Sequence, residues 1–163
     1  MTQPRPGLYA RARRLLDGTG WLGLATVDEG GTPSASYVPF ALVGGRFGIV
    51  VSRLAAHTEH LKARRPASAL FVDEESRSEE VDRDPYARSR LSVAIQASLQ
   101  PAGSAEAAAI WSALERRHGV TVAVLRELPD FDAVALAPGG GRLVLGFASA
   151  HDLDAGEIER LLA

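Results

Sequence analysis

The chain has 163 residues, 46% of them apolar and 23% charged, with a formal net charge of −2 and no cysteine. That is enough chain for one sizeable core and short for two, so a single domain spanning 1–163 is expected. The near-neutral charge excludes a general electrostatic pull toward nucleic acid or anionic membrane, and the missing cysteines exclude disulfides, thiolate metal sites and cysteine nucleophiles.

The N-terminal "MTQPRPGLYARARRLLDG" spreads its positive charges and lacks an apolar core, so it does not read as a signal peptide. No stretch has the length of a transmembrane helix, and a cytoplasmic location, without nucleic-acid or membrane partners, is the expectation. Leu8, Ala12, Leu15 and Leu16 recur at helical spacing between Pro6 and Gly18, predicting a short amphipathic helix. In "GWLGLATVDEGGTPSASYVPFALVGGRFGIVVS", turn residues separate three apolar runs, predicting strands near 21–27, 34–42 and 46–52.

Residues 54–64 have helical composition, and "PASALFVDEE" returns to strand. "EESRSEEVDRDP", from Glu74 to Pro85, is charged and aperiodic and reads as an exposed loop, long enough to act as a lid or an interface arm. "ARSRLSVAIQASLQPA" reads as a long strand with Leu91, Val93 and Ile95 on one face and Ser92, Ala94 and Gln96 on the other.

Ser104 begins a helix that Gly119 stops, and "VTVAVLREL" supplies a second helical run. "DFDAVALAP" and "GGRLVLGFAS" read as two strands joined by a glycine hairpin turn, followed by a terminal helix from Asp154 to Leu162. Trp21, Trp111 and Phe131 lie in apolar patterns and are expected in the core. Mainly hairpin connectivity with a few helices gives an α+β fold, a closed or half-closed antiparallel barrel. A Rossmann sheet is disfavoured, because strands and helices do not alternate and no GxGxxG or P-loop pattern occurs.

"VVSRLAAHTEHLKARRP" carries the most chemistry. His57 and His60 share a helical face, yet no third ligand accompanies them, and His118 and His151 are remote in sequence, so no metal site is assigned. A strand ending at Ser52 and a helix starting near Ala55 would offer backbone N–H groups to an anion, completed by Ser52, Arg53, His57 and Thr58. On spacing alone, an ordinary basic helix start is an equal reading.

"GTPSASYVPFAL", "SRLAAHTEHL" with "RPASALFVDEE", "ARSRLSV" and "LPDFDAVALAPGGGRLVLGFASA" occur in an order that resembles the split-barrel family of pyridoxamine 5'-phosphate oxidase, and most closely its haem-utilisation branch. The resemblance runs from about Leu22 to Ala150. It implies a six-stranded split β-barrel with flanking helices, a homodimer, and FMN or alternatively haem bound at the dimer interface for redox chemistry. A flavin- or haem-dependent oxidoreductase follows, with a non-catalytic flavin or haem carrier or sensor as the alternative.

By the same resemblance, Ser36, Tyr37, Val38, Ser52, Arg53, His57 and Thr58 fall on the segments that hold the FMN phosphate. Ser36 and approximately His57 stand where many flavin-binding members have arginine and lysine; the haem-utilisation branch shares the serine and the "HT" pair. Arg90 matches an arginine that would pair with a phosphate or a haem propionate. Asp130 would orient a histidine or cap a turn. The branch's haem-binding members carry an iron-ligating histidine in a C-terminal tail, and the late histidine here is His151.

Overall fold

The computed structural model describes residues 6–74 and 84–163. Its elements are α1 (Pro6–Gly18), β1 (Trp21–Val27), β2 (Pro33–Pro39), β3 (Ala41–Val43), β4 (Arg46–Ser52), α2 (Ala56–Lys62) and β5 (Ala67–Val72). After a 3-10 turn at Pro85–Ala87 come β6 (Arg90–Leu99), α3 (Ala105–His118), α4 (Val120–Arg126), β7 (Phe131–Val144), β8 (Ala150–Leu153) and α5 (Ala155–Leu162).

Alternation in the sequence sets the two faces of the sheet. In β1 the side chains of Leu22, Leu24 and Thr26 are buried while Ala25 is exposed, and in β6 Leu91, Val93 and Ile95 are buried against exposed Ser92, Ala94 and Gln96. All pairings among the described strands are antiparallel, in the order β2-β1-β5-β6-β7-β4-β3, with β8 added beside β7. The two end strands, β2 and β3, are consecutive in the chain and meet through Phe40, so the sheet curls almost into a barrel. This is the α+β split barrel expected from the sequence.

The expected single strand over 34–42 is two strands. Phe40 is fully buried, its N–H donates to the Gly20 carbonyl, and its carbonyl lies 2.9 Å from His118 Nε2, so the chain leaves β1 there and joins β4. Phe40, Phe47 and Phe71 pack against one another inside the barrel, with ring centroids 4.8 to 5.9 Å apart. Ala12, Leu15 and Leu16 of α1 and Ile158, Leu161 and Leu162 of α5 join the same core.

A second correction concerns "LAPGGGRL", which is not a hairpin turn. Residues 131–144 form one continuous strand that pairs with β6 along both halves, through a bulge between Val93 and Ile95. None of Gly139, Gly140 and Gly141 has positive φ. A Cβ on Gly141 would sit 2.5 Å from the Ser92 carbonyl oxygen, and one on Gly139 would sit 3.3 Å from that of Ala94. The glycines permit close approach of two backbones rather than a reversal. The reversals occur at Gly44 and Gly45, with φ of 55° and 73°, and after Gly146. Strand β8 was not expected from sequence.

A second, smaller core places Ile110, Trp111 and Leu114 of α3 on Ala41, Ala133 and Ala135 of the sheet, with Phe131 partly buried beside it. Trp111 is therefore internal as expected. Trp21 is not: it stacks on exposed Tyr37, centroids 4.8 Å apart, on the outer surface. Helices α3 and α4 thus cover the outer face of β3, β4 and β7. The outer face of β2, β1, β5 and β6 stays exposed at Ala35, Tyr37, Ala25, Leu70, Ser92 and Ala94. No described helix is long and apolar enough to cross a membrane.

Candidate functional site

The segment after β4 brings together five of the residues singled out in the sequence. Ser52 ends β4 opposite Phe131 of β7. Its hydroxyl donates to Asp130 Oδ2 at 3.3 Å and accepts from the Leu54 N–H at 3.2 Å. The Thr58 hydroxyl is fully buried and donates back to the Ser52 carbonyl, which ties the first turn of α2 to the end of the strand. Asp130 accordingly holds the strand-to-helix corner and, among the described contacts, bonds no histidine.

Arg53 forms a two-pronged ion pair with Asp132, at 2.9 Å from Nε to Oδ2 and 2.7 Å from Nη2 to Oδ1. The guanidinium holds the Asp132 carboxyl below the usual carboxylate range, and the hydrogen bond raises Arg53 in return. Sequence reading missed Asp132, because its partner lies 79 residues away and no local pattern marks the pair.

His57 faces β2: its Nδ1 lies 2.9 Å from Ser36 Oγ. His60, one helical turn on, faces β1 instead, with Nδ1 2.8 Å from Thr26 Oγ1, and Thr26 lies 3.4 Å from Ser34 Oγ. The two imidazoles therefore bridge α2 to separate strands. Desolvation, with the charge of His60 second, holds the His57 imidazole below its ordinary value near 6.5, so it is neutral at pH 7. Helix α2 has seven residues and no side-chain cap, which leaves little helix dipole for an anion. Within this cluster Arg53 is already engaged, and the hydroxyls of Ser36, Ser52 and Thr58 are bonded to His57, Asp130 and the Ser52 carbonyl.

Tyr37 and Val38 continue β2 in opposite directions. Val38 is buried in the barrel, and Tyr37 is 68% exposed on the uncovered face. Arg90 and His151 are not part of the α2 cluster. Ser36 pairs with Leu24, Leu24 with Ala69, and Ala69 with Val93, so Arg90 lies three strands away and three residues further along. Arg90 donates to the carbonyls of Arg88 and Tyr86, at 3.1 and 3.5 Å. His151 shares that end of the sheet, since Leu91 pairs with Leu143 and Leu143 with His151; its Nε2 lies 3.2 Å from Ser149 Oγ. The chain thus carries two separate groups, one around α2 and one at the start of β6.

An antiparallel sheet whose end strands are joined through Phe40, with a polar strand-to-helix corner at its rim, defines a split barrel. The model of the pyridoxamine 5'-phosphate oxidase family matches residues 10–145, and the chain belongs to that family. It is similar to HutZ of Vibrio cholerae, named a haem oxygenase, with 28% identity over 137 residues, covering 84% of this chain and 76% of HutZ. A solved structure of HutZ, described there as a haem storage protein, superposes with a TM-score of 0.71 at 26% identity, covering 80% of this chain and 89% of that one. A haem-binding protein from Mycobacterium smegmatis superposes with a TM-score of 0.81 at 27% identity. That match covers 97% of this chain but 62% of the Mycobacterium protein.

Proposed function

We propose that this chain is a single-domain cytoplasmic haem-binding protein of the haem-utilisation type, which binds haem between two copies of itself for redox chemistry. The observation that carries this reading is the uncovered outer face of β2, β1, β5 and β6. Gly23, Ala25, Ala35, Ser68, Ser92 and Ala94 make it flat, Tyr37 and Leu70 make it apolar, and Arg90 stands at its rim. A planar macrocycle needs a flat apolar wall, cations for its propionates and a neutral imidazole for its iron. The face supplies the wall and the cation: Arg90 would pair with a propionate, and a second copy over the same face would exclude water. His151 stands in register with core-facing Leu143 and Leu91, on the opposite side of the sheet from that wall, so no iron ligand is assigned to it. When bound, haem supplies a redox-active iron; the protein orients it and sets its access to solvent. The similarity to proteins named for haem supports the same reading.

FMN is the second reading, favoured by the family match. Titrating the purified protein with haemin and separately with FMN distinguishes the two. Haemin is expected to give a Soret band, with weaker binding in Arg90→Ala. A flavin spectrum with no haemin binding would replace haem by FMN, and binding of neither would overturn both. Reductant-driven loss of the bound haem spectrum supports a redox role; an unchanged spectrum makes the protein a carrier.

A further inference from the structure

Next to the uncovered outer face, and sharing Ala94 with it, residues from four adjacent strands line a groove of about 860 Å³. Its floor is Ala94 to Ala97 of β6 and Ala137 to Gly139 of β7, directly over the bulge. Arg64 and Arg65 stand on the β5 side, and Arg46 on the β4 side. Among the described residues neither Arg46 nor Arg64 has an acidic partner, and Arg65 has Glu29 only at 4.0 Å, with Glu29 96% exposed. None of these arginines belongs to the α2 cluster or to the Arg90 rim.

Guanidinium groups at both ends of a groove whose floor mixes alanine side chains with Gln96 and Ser98 select for negative charge at both ends of a ligand. From β5 to β4 is three strand steps, so the walls stand roughly 14 Å apart at about 4.8 Å per step. We propose that this groove binds an elongated small molecule with an anionic group, carboxylate or phosphate, at each end. The bulge serves that site: Gly139 adds no side chain where β7 bends past Ala94. Each wall supplies its own charged hydrogen bonds, so recognition depends on both ends of the ligand at once.

The test uses α,ω-dicarboxylates and α,ω-diphosphates of graded chain length, with monoanions of the same lengths as controls, titrated calorimetrically into the intact protein. The expected result is a bis-anion spanning roughly 14 Å that binds at least about tenfold more tightly than its monoanion. Arg46→Ala should remove that ratio. Arg64→Gly should do the same without harming folding, because Arg64 holds a left-handed φ of 53° that glycine adopts freely. Arg142→Ala, at an ion pair with Asp152 outside the groove, should leave the ratio intact. Dicarboxylate or diphosphate preference identifies the terminal group. A ratio of one for both series, as a groove closed by a second copy would give, or a ratio that survives Arg46→Ala and Arg64→Gly, overturns the proposal. Haemin binding by Arg46→Ala stays as in the wild type, which separates this site from the haem reading.

Discussion

Replacing Gly141 with alanine drives a methyl group into the backbone of β6. The new Cβ would lie 2.5 Å from the Ser92 carbonyl oxygen and 3.3 Å from Val93 Cα, and ordinary contact begins at 3.4 Å. Neither neighbour is the end of a flexible side chain, so the two strands must part by about 0.9 Å at that point. A ladder hydrogen bond near 2.9 Å does not survive such a shift. Losing one or two of them costs about 1–3 kcal/mol, local strain adds about 1 kcal/mol, and alanine's smaller unfolded-state entropy returns about 0.5–1 kcal/mol. The net is a destabilisation of about 1–3.5 kcal/mol, or roughly 2–14 °C in melting temperature for a chain of this size. Gly139→Ala, whose Cβ meets a carbonyl oxygen at 3.3 Å, should cost less than half as much. Urea denaturation of the two variants beside the wild type measures both values. If Gly141→Ala unfolds at the wild-type midpoint, or if Gly139→Ala is the more damaging, then β7 is not a continuous strand packed closely on β6.

Two further outcomes are expected. Because His57 is held below its ordinary value near 6.5, its stabilising contribution is present above that pH and is lost as pH falls through the lower folded-state value. The denaturation midpoint should therefore drop on acidification below about 6.5, and His57→Gln should flatten that part of the profile; an unchanged slope refutes the assignment. Arg117 donates through Nη2 to the carbonyls of Leu16, Asp17 and Thr19, at 2.8, 3.1 and 2.6 Å, and its guanidinium lies 4.6 Å from the Phe40 ring centroid. Arg117→Ala leaves the end of α1 without those donors and should cost about 2–4 kcal/mol, with Arg117→Lys recovering part of it. Equal midpoints for Arg117→Ala and the wild type would show that α1 is held by its apolar face alone.

Much of the site's composition was legible before the structure. "SRLAAHTEHL" marks a strand-to-helix corner, since an apolar β run followed by helix formers can hardly be anything else, and Ser52, Arg53, His57 and Thr58 do gather there. What their side chains bond was not legible: Arg53 is taken by Asp132, and His57 by Ser36 across 21 residues. Nothing local places positions 46 and 64 along one groove.

The amino-acid sequence by itself determined the two hairpin glycines at 44 and 45, the cap of α3 at Ser104 and the buried face of β6. Those features depend on backbone conformation and on alternation within a few residues, which local chemistry specifies. Tertiary structure alone decided that the three glycines at 139–141 extend a strand, that the run over 34–42 breaks at Phe40, and that Arg90 and His151 share an end of the sheet away from His57. Glycine serves equally for a turn and for close backbone approach. Which use applies depends on whether another strand lies beside it, and only the folded sheet, with its long-range register, supplies that neighbour.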